Sequence, residues 1–299
     1  VLSRSVAHQV RNAARMVILV AQELLQRTIA FHVEADVVFV GHADAAVHLH
    51  AFAHSEASHL GDLRLGYRRH EVGLLASGTG NDFGRNFGVS IRNPDLAVQT
   101  LSSGVVRSVD VGRVITGATP LRAQAGPHRT IKGRNFLNLV GFGFDVAVIE
   151  DTAGARFLRG ELLYKVTALK NLFSYSGVPL VLEGDGLTVD GEQLMLTISN
   201  APFFGGGFLI APEAQLDDGL LDACAIGNTP AFTRWRLFNA APKGRHVRSP
   251  HVQMRQSARF SVRFSTPPKY EVDGELWQAE GTEVIIEAVP QALQVVVPD

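Results

Sequence analysis

Cysteine is nearly absent from this 299-residue chain, and the single Cys224 excludes an intramolecular disulfide or a cysteine-based zinc site and fits a reducing compartment. An excess of either charge is lacking too. The 28 Lys and Arg face 29 Asp and Glu, a formal net charge of −1, so a strongly basic surface for coating nucleic acid is not indicated. Long apolar runs are missing: Met16–Ala21 gives way to Gln22 and Glu23, far short of the roughly 18 residues of a membrane span. Nor is there a basic leader with an apolar core and cleavage site, and the chain starts at Val1 rather than Met, which makes Val1 a candidate truncation point. Cytoplasmic is the default location. What is present is globular: 46% hydrophobic, 19% charged and 8% aromatic residues exclude disorder and collagen, and the length is a prior of about two domains.

Up to about Arg113, short β-rich runs (Val37–Val40, Glu71–Ser77) alternate with helix-like stretches such as DFGRNFG and LAVQTLSSG, a pattern that predicts a parallel α/β sheet. From Val105 onward the texture changes. Runs such as VVRSVDVGRV, FLNLV, VPLVLEG, QLMLTIS, LLDACAI, ARFSVRFS, YEVDGELW, TEVIIEAV and LQVVVP, separated by Gly, Pro and Asp, predict an antiparallel β domain. Two packing helices are expected within it, Arg159–Tyr175 and Pro230–Ala241, the second with proline at its start. Gly117–Arg134 lacks periodicity and reads as a connection or hairpin loop, with a domain boundary just before it.

The most informative segment is Ala76–Phe83, ASGTGNDF, which follows an apolar strand and leads into a helix. Gly78, Thr79 and Gly80 let backbone N–H groups approach a phosphate, and Asn81 or Asp82 can cap the helix. Taken alone, it reads first as a plain strand-to-helix turn, since short Gly-rich loops are common. Asp273–Gly274 in VDGE is first of all a hairpin-turn signal, Asp218 in LDDGLLD a β-turn, and Asp110 in SVDVG a strand-end aspartate. His50 and His54 have the spacing of two imidazoles on one helix face, but no third ligand stands at a recognisable spacing.

Taken together these segments resemble the diacylglycerol kinase catalytic-domain family, which includes the sphingosine kinases and bacterial soluble lipid kinases. The matches run in order: GTGNDF, SVDVGRV (Ser108–Val114), FLNLVGFGFDVAV (Phe136–Val148), Ser199–Asp222, KGRH (Lys243–His246), YEVDGE (Tyr270–Glu275) and the terminal EAVPQALQVVVP, over roughly residues 36–298. The resemblance implies an α/β N-terminal lobe like that of NAD and diacylglycerol kinases and a β-rich, sandwich-like second domain. The nucleotide lobe would span 1–114, with 289–299 returning to it, and the lipid-substrate domain 115–288.

The implied activity is an ATP- and Mg²⁺-dependent lipid kinase transferring the γ-phosphoryl group to a lipid hydroxyl. Asp44, Gly78, Thr79, Gly80, Asn81, Asp82 and Asp110 match the positions that hold Mg²⁺–ATP, and Asp273 matches the base, with Glu275 beside it to tune or orient it. A structural Mg²⁺ is implied at Asp218 with carbonyls near Gln215 and Leu220. Where the family carries GGDGT, this chain has His42, Ala43, Asp44, Ala45 and Ala46, and Leu49 stands at a family glutamate. Cβ atoms where backbone must approach phosphate predict weakened nucleotide affinity. The alternative is therefore a catalytically impaired lipid-binding pseudokinase. A soluble alcohol acceptor, as in NAD kinases, is disfavoured by the C-terminal half. Without a polybasic run or lipidation signal, membrane contact is expected to be transient and peripheral, with no nucleic-acid partner.

Overall fold

Alternating apolar and polar residues, punctuated by Gly and Asp, build much of the C-terminal part of the chain into strands. The computed structural model describes residues 36–41, 47–48, 71–76, 82–89, 96, 99–100, 103–120, 131–154 and 170–299. The strands in chain order are β1 (Asp36–Gly41), β2 (Val47–His48), β3 (Glu71–Ala76), β4 (Val105–Pro120), β5 (Ile131–Phe136), β6 (Leu139–Gly143), β7 (Val178–Gly184) and β8 (Leu187–Ser199). They continue with β9 (Phe203–Phe204), β10 (Phe208–Leu209), β11 (Leu221–Gly227), β12 (Val252–Ser257), β13 (Arg259–Phe264), β14 (Lys269–Val272), β15 (Glu275–Ala279) and β16 (Glu283–Val297). Helices are α1 (Asp82–Arg85), α2 (Phe144–Gly154) and α3 (Ala231–Ala240). No helix among the described residues is long and apolar enough to cross a membrane.

The chain divides into one unit of Val1–Val109 with Gln291–Asp299 and another of Asp110–Pro290. In the first, β1 pairs antiparallel with β2 and β3, while the end of β16 pairs parallel with β3, Gln294 to Val296 against Glu71 to Gly73. The parallel sheet expected here is thus seen for β3 with β16 and corrected for β1 with β2 and β3 among the described strands. Apolar runs separated by helix-like stretches fix strand existence but not strand direction.

In the second unit the strands run β13, β7, β8, β6, β14, β15, β4, β5, with β11 also on β8 and β12 on β11. All these pairings are antiparallel. β11 shows why the architecture is sandwich-like. Its Ala223 and Ala225 join a core with Phe142, Leu196, Phe260, Tyr270 and Ile286, while its Cys224 and Ile226 join another with Leu139, Met195, Ile210 and Leu237. Successive side chains point to opposite faces, so a strand apolar at every position must be covered on both. Burial pushes the Cys224 thiol up to about 12, which leaves it an inert packing residue.

Two further expectations need correction. Gly117–Arg134 is not all loop: β4 runs through Thr119 and Pro120, β5 restarts at Ile131, and the register between them shifts between Val114 and Gly117. That irregularity is a β-bulge, which hides a strand from period-2 reading. FLNLV is not one strand but the end of β5 and the start of β6, broken at Leu137–Asn138. The helix expected at Pro230–Ala241 is α3, with Pro230 as its N-cap. Of Arg159–Tyr175, residues 170–174 are helical and 159–169 lie outside the described residues.

Candidate active site

The YEVDGELW segment forms the β14–β15 hairpin, Val272 opposite Glu275, through the two-residue turn Asp273–Gly274. Both turn residues have positive φ, 46° and 90°, the left-handed pair that Asp-Gly supplies most readily. The carboxylate does more than turn the chain. Asp273 Oδ2 accepts the N–H of Leu137 at 2.8 Å, and Oδ1 accepts those of Asn138 and Leu139 at 2.9 and 3.0 Å. The Asp273 N–H in turn donates to the Leu139 carbonyl at 3.1 Å. Three successive amides converging on one carboxylate form an anion-binding concavity, and they explain the break in FLNLV: these amides leave the strand ladder to bind Asp273.

The same connection links the other candidate residues of this unit. The Asn138 carbonyl accepts N–H groups of Asn200 and Ala201, at 2.7 and 3.1 Å. Asn200 Nδ2 donates to the carbonyls of Leu137 and Asp110, at 3.0 and 3.1 Å. Asp110, fully buried, accepts the Gly219 N–H at 2.6 Å through Oδ2, and its own N–H donates to the Leu216 carbonyl at 2.6 Å. SVDVG, the LDDGLLD loop and VDGE, far apart in sequence, are thus one hydrogen-bonded cluster.

Glu275 accepts from Arg134 Nη2 at 2.7 Å, and the Arg134 guanidinium lies 3.3 Å from the centroid of the Trp277 ring. Both contacts are charge-assisted in a low-dielectric setting and hold the far side of the turn. On the exposed loop, Asp218 Oδ1 accepts the Leu220 N–H at 2.9 Å and Oδ2 accepts from Gln256 at 3.2 Å. Gln215 is exposed and Leu220 half-buried. Burial first, and the Asp218 charge second, push the buried Asp222 up to about 6. A carboxylate with nearby carbonyls is an oxygen-only donor set that fits a hard cation keeping several waters. Among the described residues no three His, Cys, Asp or Glu form a metal cluster.

Asp82 lies in the first turn of α1, paired with Arg85 at 3.3 Å. Asp44, Gly78, Thr79, Gly80 and Asn81 lie outside the described residues, as do His50 and His54.

Sequence reasoning missed two acids. Asp145, at the start of α2, and Glu271, on β14, are buried and crowd Gly141. A Cβ on Gly141 would collide with Asp145 Oδ2 and stand 3.0 Å from Glu271 Oε1. Burial raises Asp145 to about 7, opposed by the amides of Val146 and Asp145. Burial first, and the Asp145 charge second, raise Glu271 well above the usual carboxylate range. Two such carboxyls do not both ionise, so the pair retains a proton near neutrality. Glu271 Oε2 accepts the Gly274 N–H at 2.7 Å, so the pair backs the Asp273 turn. The available signal was an acid inside each apolar run, GFGFDVAV and YEV.

A family model described as the YegS C-terminal NAD kinase beta sandwich-like domain matches residues 138–297, and the diacylglycerol kinase catalytic domain matches residues 50–114. A Mycobacterium tuberculosis diacylglycerol kinase is 29% identical over 228 residues, 76% of this chain and 69% of that protein. The Bacillus subtilis diacylglycerol kinase is 25% identical over 208 residues, 69% of this chain and 63% of that one. A Xanthomonas euvesicatoria protein named "Probable lipid kinase YegS-like" is 27% identical over 229 residues, 76% of this chain and 69% of its own. The crystal structure of a Bacillus anthracis diacylglycerol kinase, 17% identical, superposes with a TM-score of 0.50 over 75% of this chain and 65% of that one, a likeness of fold. With one family model spanning 138–297 and a second ending at Val114, where the cluster of Asp110, Asn138 and Asp273 is built, the chain belongs to the diacylglycerol kinase and YegS-like lipid kinase family.

Proposed function

We propose that the protein is an ATP- and Mg²⁺-dependent lipid kinase that transfers the γ-phosphoryl group of ATP to the hydroxyl of diacylglycerol or a related lipid. The observation that supports it most is the Asp273 carboxylate, held by three amides. A carboxylate offers about four lone-pair directions; Oδ1 uses two and Oδ2 one, which leaves one on Oδ2 for a hydroxyl proton. In the proposed step the lipid oxygen attacks the γ-phosphorus, the bond to the bridging β–γ oxygen breaks, ADP leaves, and the hydroxyl proton passes to Asp273. Glu275, fixed by Arg134, and Glu271, through Gly274, keep the turn in place. Asp44, Asp82 and Asp110 would hold Mg²⁺ with the nucleotide, and Asp218 with Gln215 and Leu220 carbonyls a structural Mg²⁺. When bound, Mg²⁺ neutralises charge on the transferring phosphate. The chain would work in the cytoplasm, meeting its substrate at a membrane surface.

A second reading, a lipid-binding protein without turnover, is favoured by one observation: the amide cradle gives Asp273 a structural task that needs no chemistry. Ala43, Ala45 and Ala46 point the same way. The test is incubation with γ-labelled ATP, Mg²⁺ and a panel of lipid alcohols in mixed micelles. Label in a lipid product is the expected result; unlabelled lipid throughout, with no thermal shift by Mg²⁺–ATP, favours the second reading.

A further inference from the structure

Helix α3, AFTRWRLFNA, buries Arg234 beside Leu237 and leaves Phe232 and Trp235 exposed, while Phe238 is half-buried against Phe208. Arg234, 8% exposed, donates Nε to the Thr229 carbonyl at 2.7 Å, Nη1 to the carbonyls of Leu172 and Tyr175 at 3.1 and 2.6 Å, and Nη2 to Asn228 Oδ1 at 2.6 Å. Phe232 is 68% exposed and Trp235 46%, their rings stacked with centroids 6.0 Å apart. Arg234 also ties α3 to the helical segment 170–174, which carries Phe173, 54% exposed. The exposed large aromatics among the described residues therefore all lie on two joined segments.

Cations follow them along the chain. Arg236 on α3, and Lys243, Arg245 and Arg248 on the 3₁₀ turns Ala241–Lys243 and Arg245–Arg248, are exposed and form no ion pair with another described residue. Gly244, at φ 64° and with a Cβ position 2.7 Å from Pro212 Cγ, fixes how the turns follow the helix. No Asp or Glu occurs between Asp222 and Glu271. The sequence shows no polybasic run because the cations are spaced out over α3 and the two 3₁₀ turns. Glu192, bonded to Asn228, and Glu213, next to Pro212, are exposed acids on neighbouring elements.

We propose that α3 and the two 3₁₀ turns form a docking face for an anionic bilayer, with Phe232 and Trp235 entering the headgroup region and Arg236, Lys243, Arg245 and Arg248 meeting lipid phosphates. Indole and phenyl rings partition to the membrane interface, and cations beside them are drawn to anionic lipid. The choice of a bilayer over another anionic partner rests on the lipid-kinase reading, since a diacylglycerol substrate resides there.

The chain has two tryptophans, and Trp277 is 4% exposed, so emission changes on docking report Trp235. The full chain is mixed with vesicles of phosphatidylcholine alone or with phosphatidylglycerol, and sedimentation and fluorescence are read. Binding to the anionic vesicles, a blue shift and quenching by brominated lipid are expected, with at least tenfold weaker binding for F232S/W235S and for R236Q/K243Q/R245Q/R248Q, and retained binding for W235F. No binding, or binding that neither set weakens, overturns the proposal; so does a parent that dimerises through this face or prefers single-stranded RNA to vesicles. If the aromatic variant fails to fold, the charge variant decides. Phosphorylation of a short-chain, micelle-dispersed diacylglycerol is read separately. No docking by the parent with phosphorylation intact rejects the face alone, and docking by the parent without phosphorylation rejects the kinase reading alone.

Discussion

The second unit contains the same turn twice. Asp185–Gly186 joins β7 to β8, and Asp273–Gly274 joins β14 to β15; their φ values, 45° and 75° against 46° and 90°, are nearly the same. Asp185 is exposed, its carboxylate bonds to no described residue, and Gly186 faces empty space. Asp273 instead binds three amides, and a buried carboxyl pair lies behind it. The difference comes from the neighbour: β14 pairs with β6, Glu271 opposite Gly141 and Val272 opposite Val140, which brings the Leu137–Leu139 amides under the turn. Turn chemistry is local, whereas the chemical use of a turn is set by the strand beside it.

The sharpest way to break this comparison is the parallel pair Asp273→Asn and Asp185→Asn. The first is expected to lower lipid phosphorylation about 10²–10⁴-fold, as loss of a general base does. It also sets an amide NH₂ against backbone donors, costing about 1–3 kcal/mol of stability in chemical denaturation. Asp185→Asn should change neither rate nor stability by more than about 0.5 kcal/mol.

Glycine substitutions come next. Gly141→Ala places a methyl group against Asp145 and Glu271 and should cost about 3 kcal/mol. Gly186→Ala meets no atom and should cost about 1 kcal/mol from its positive φ alone. Equal midpoints in urea for the two would contradict the crowding at Gly141.

Removing the Glu275 charge beside buried Arg134 should cost about 1–2 kcal/mol, so Glu275→Gln should unfold at lower urea than the parent.

The buried acids give a pH signature. A carboxyl raised from its ordinary 3.8 to about 7 in the fold binds its proton more tightly there than in the unfolded chain. Its favourable contribution is therefore present below about pH 4 and lost as pH rises through 7. Asp222, raised to about 6, adds the same slope, and His246, lowered by burial, adds an opposite loss on acidification below its ordinary 6.5. Asp145→Asn should flatten the decline in melting temperature between pH 5 and 8 relative to the parent. Parallel curves would remove the pair from the account.

Beyond the Asp185→Asn control, the smallest effect is expected at Asp218→Asn: under about 1 kcal/mol without Mg²⁺, because the carboxylate is exposed, and a lost increment of Mg²⁺-induced melting temperature if the loop binds the cation.

Much of this was legible in the sequence. The β-rich second unit followed from period-2 runs, the Asp273–Gly274 hairpin from its dipeptide, and α3 from Pro230. The direction of β1 and β3 was not, since pairing depends on which strands become neighbours. The ties from Asp110 to Gly219 and from Asp273 to Leu137 cross more than a hundred residues, beyond any local pattern. Asp145 and Glu271 were overlooked because a lone acid in an apolar run reads as an interruption, whereas here two such acids share one buried site.

The most direct measurement is γ-labelled phosphate transfer to diacylglycerol by the parent, Asp273→Asn and Asp185→Asn side by side, with Mg²⁺–ATP at millimolar concentration. Labelled phosphatidic acid is expected from the parent and Asp185→Asn at similar rates, and at least a hundredfold less from Asp273→Asn. Equal transfer by all three would reduce Asp273 to a turn residue like Asp185, and no transfer by a folded parent would contradict the assignment of a lipid kinase.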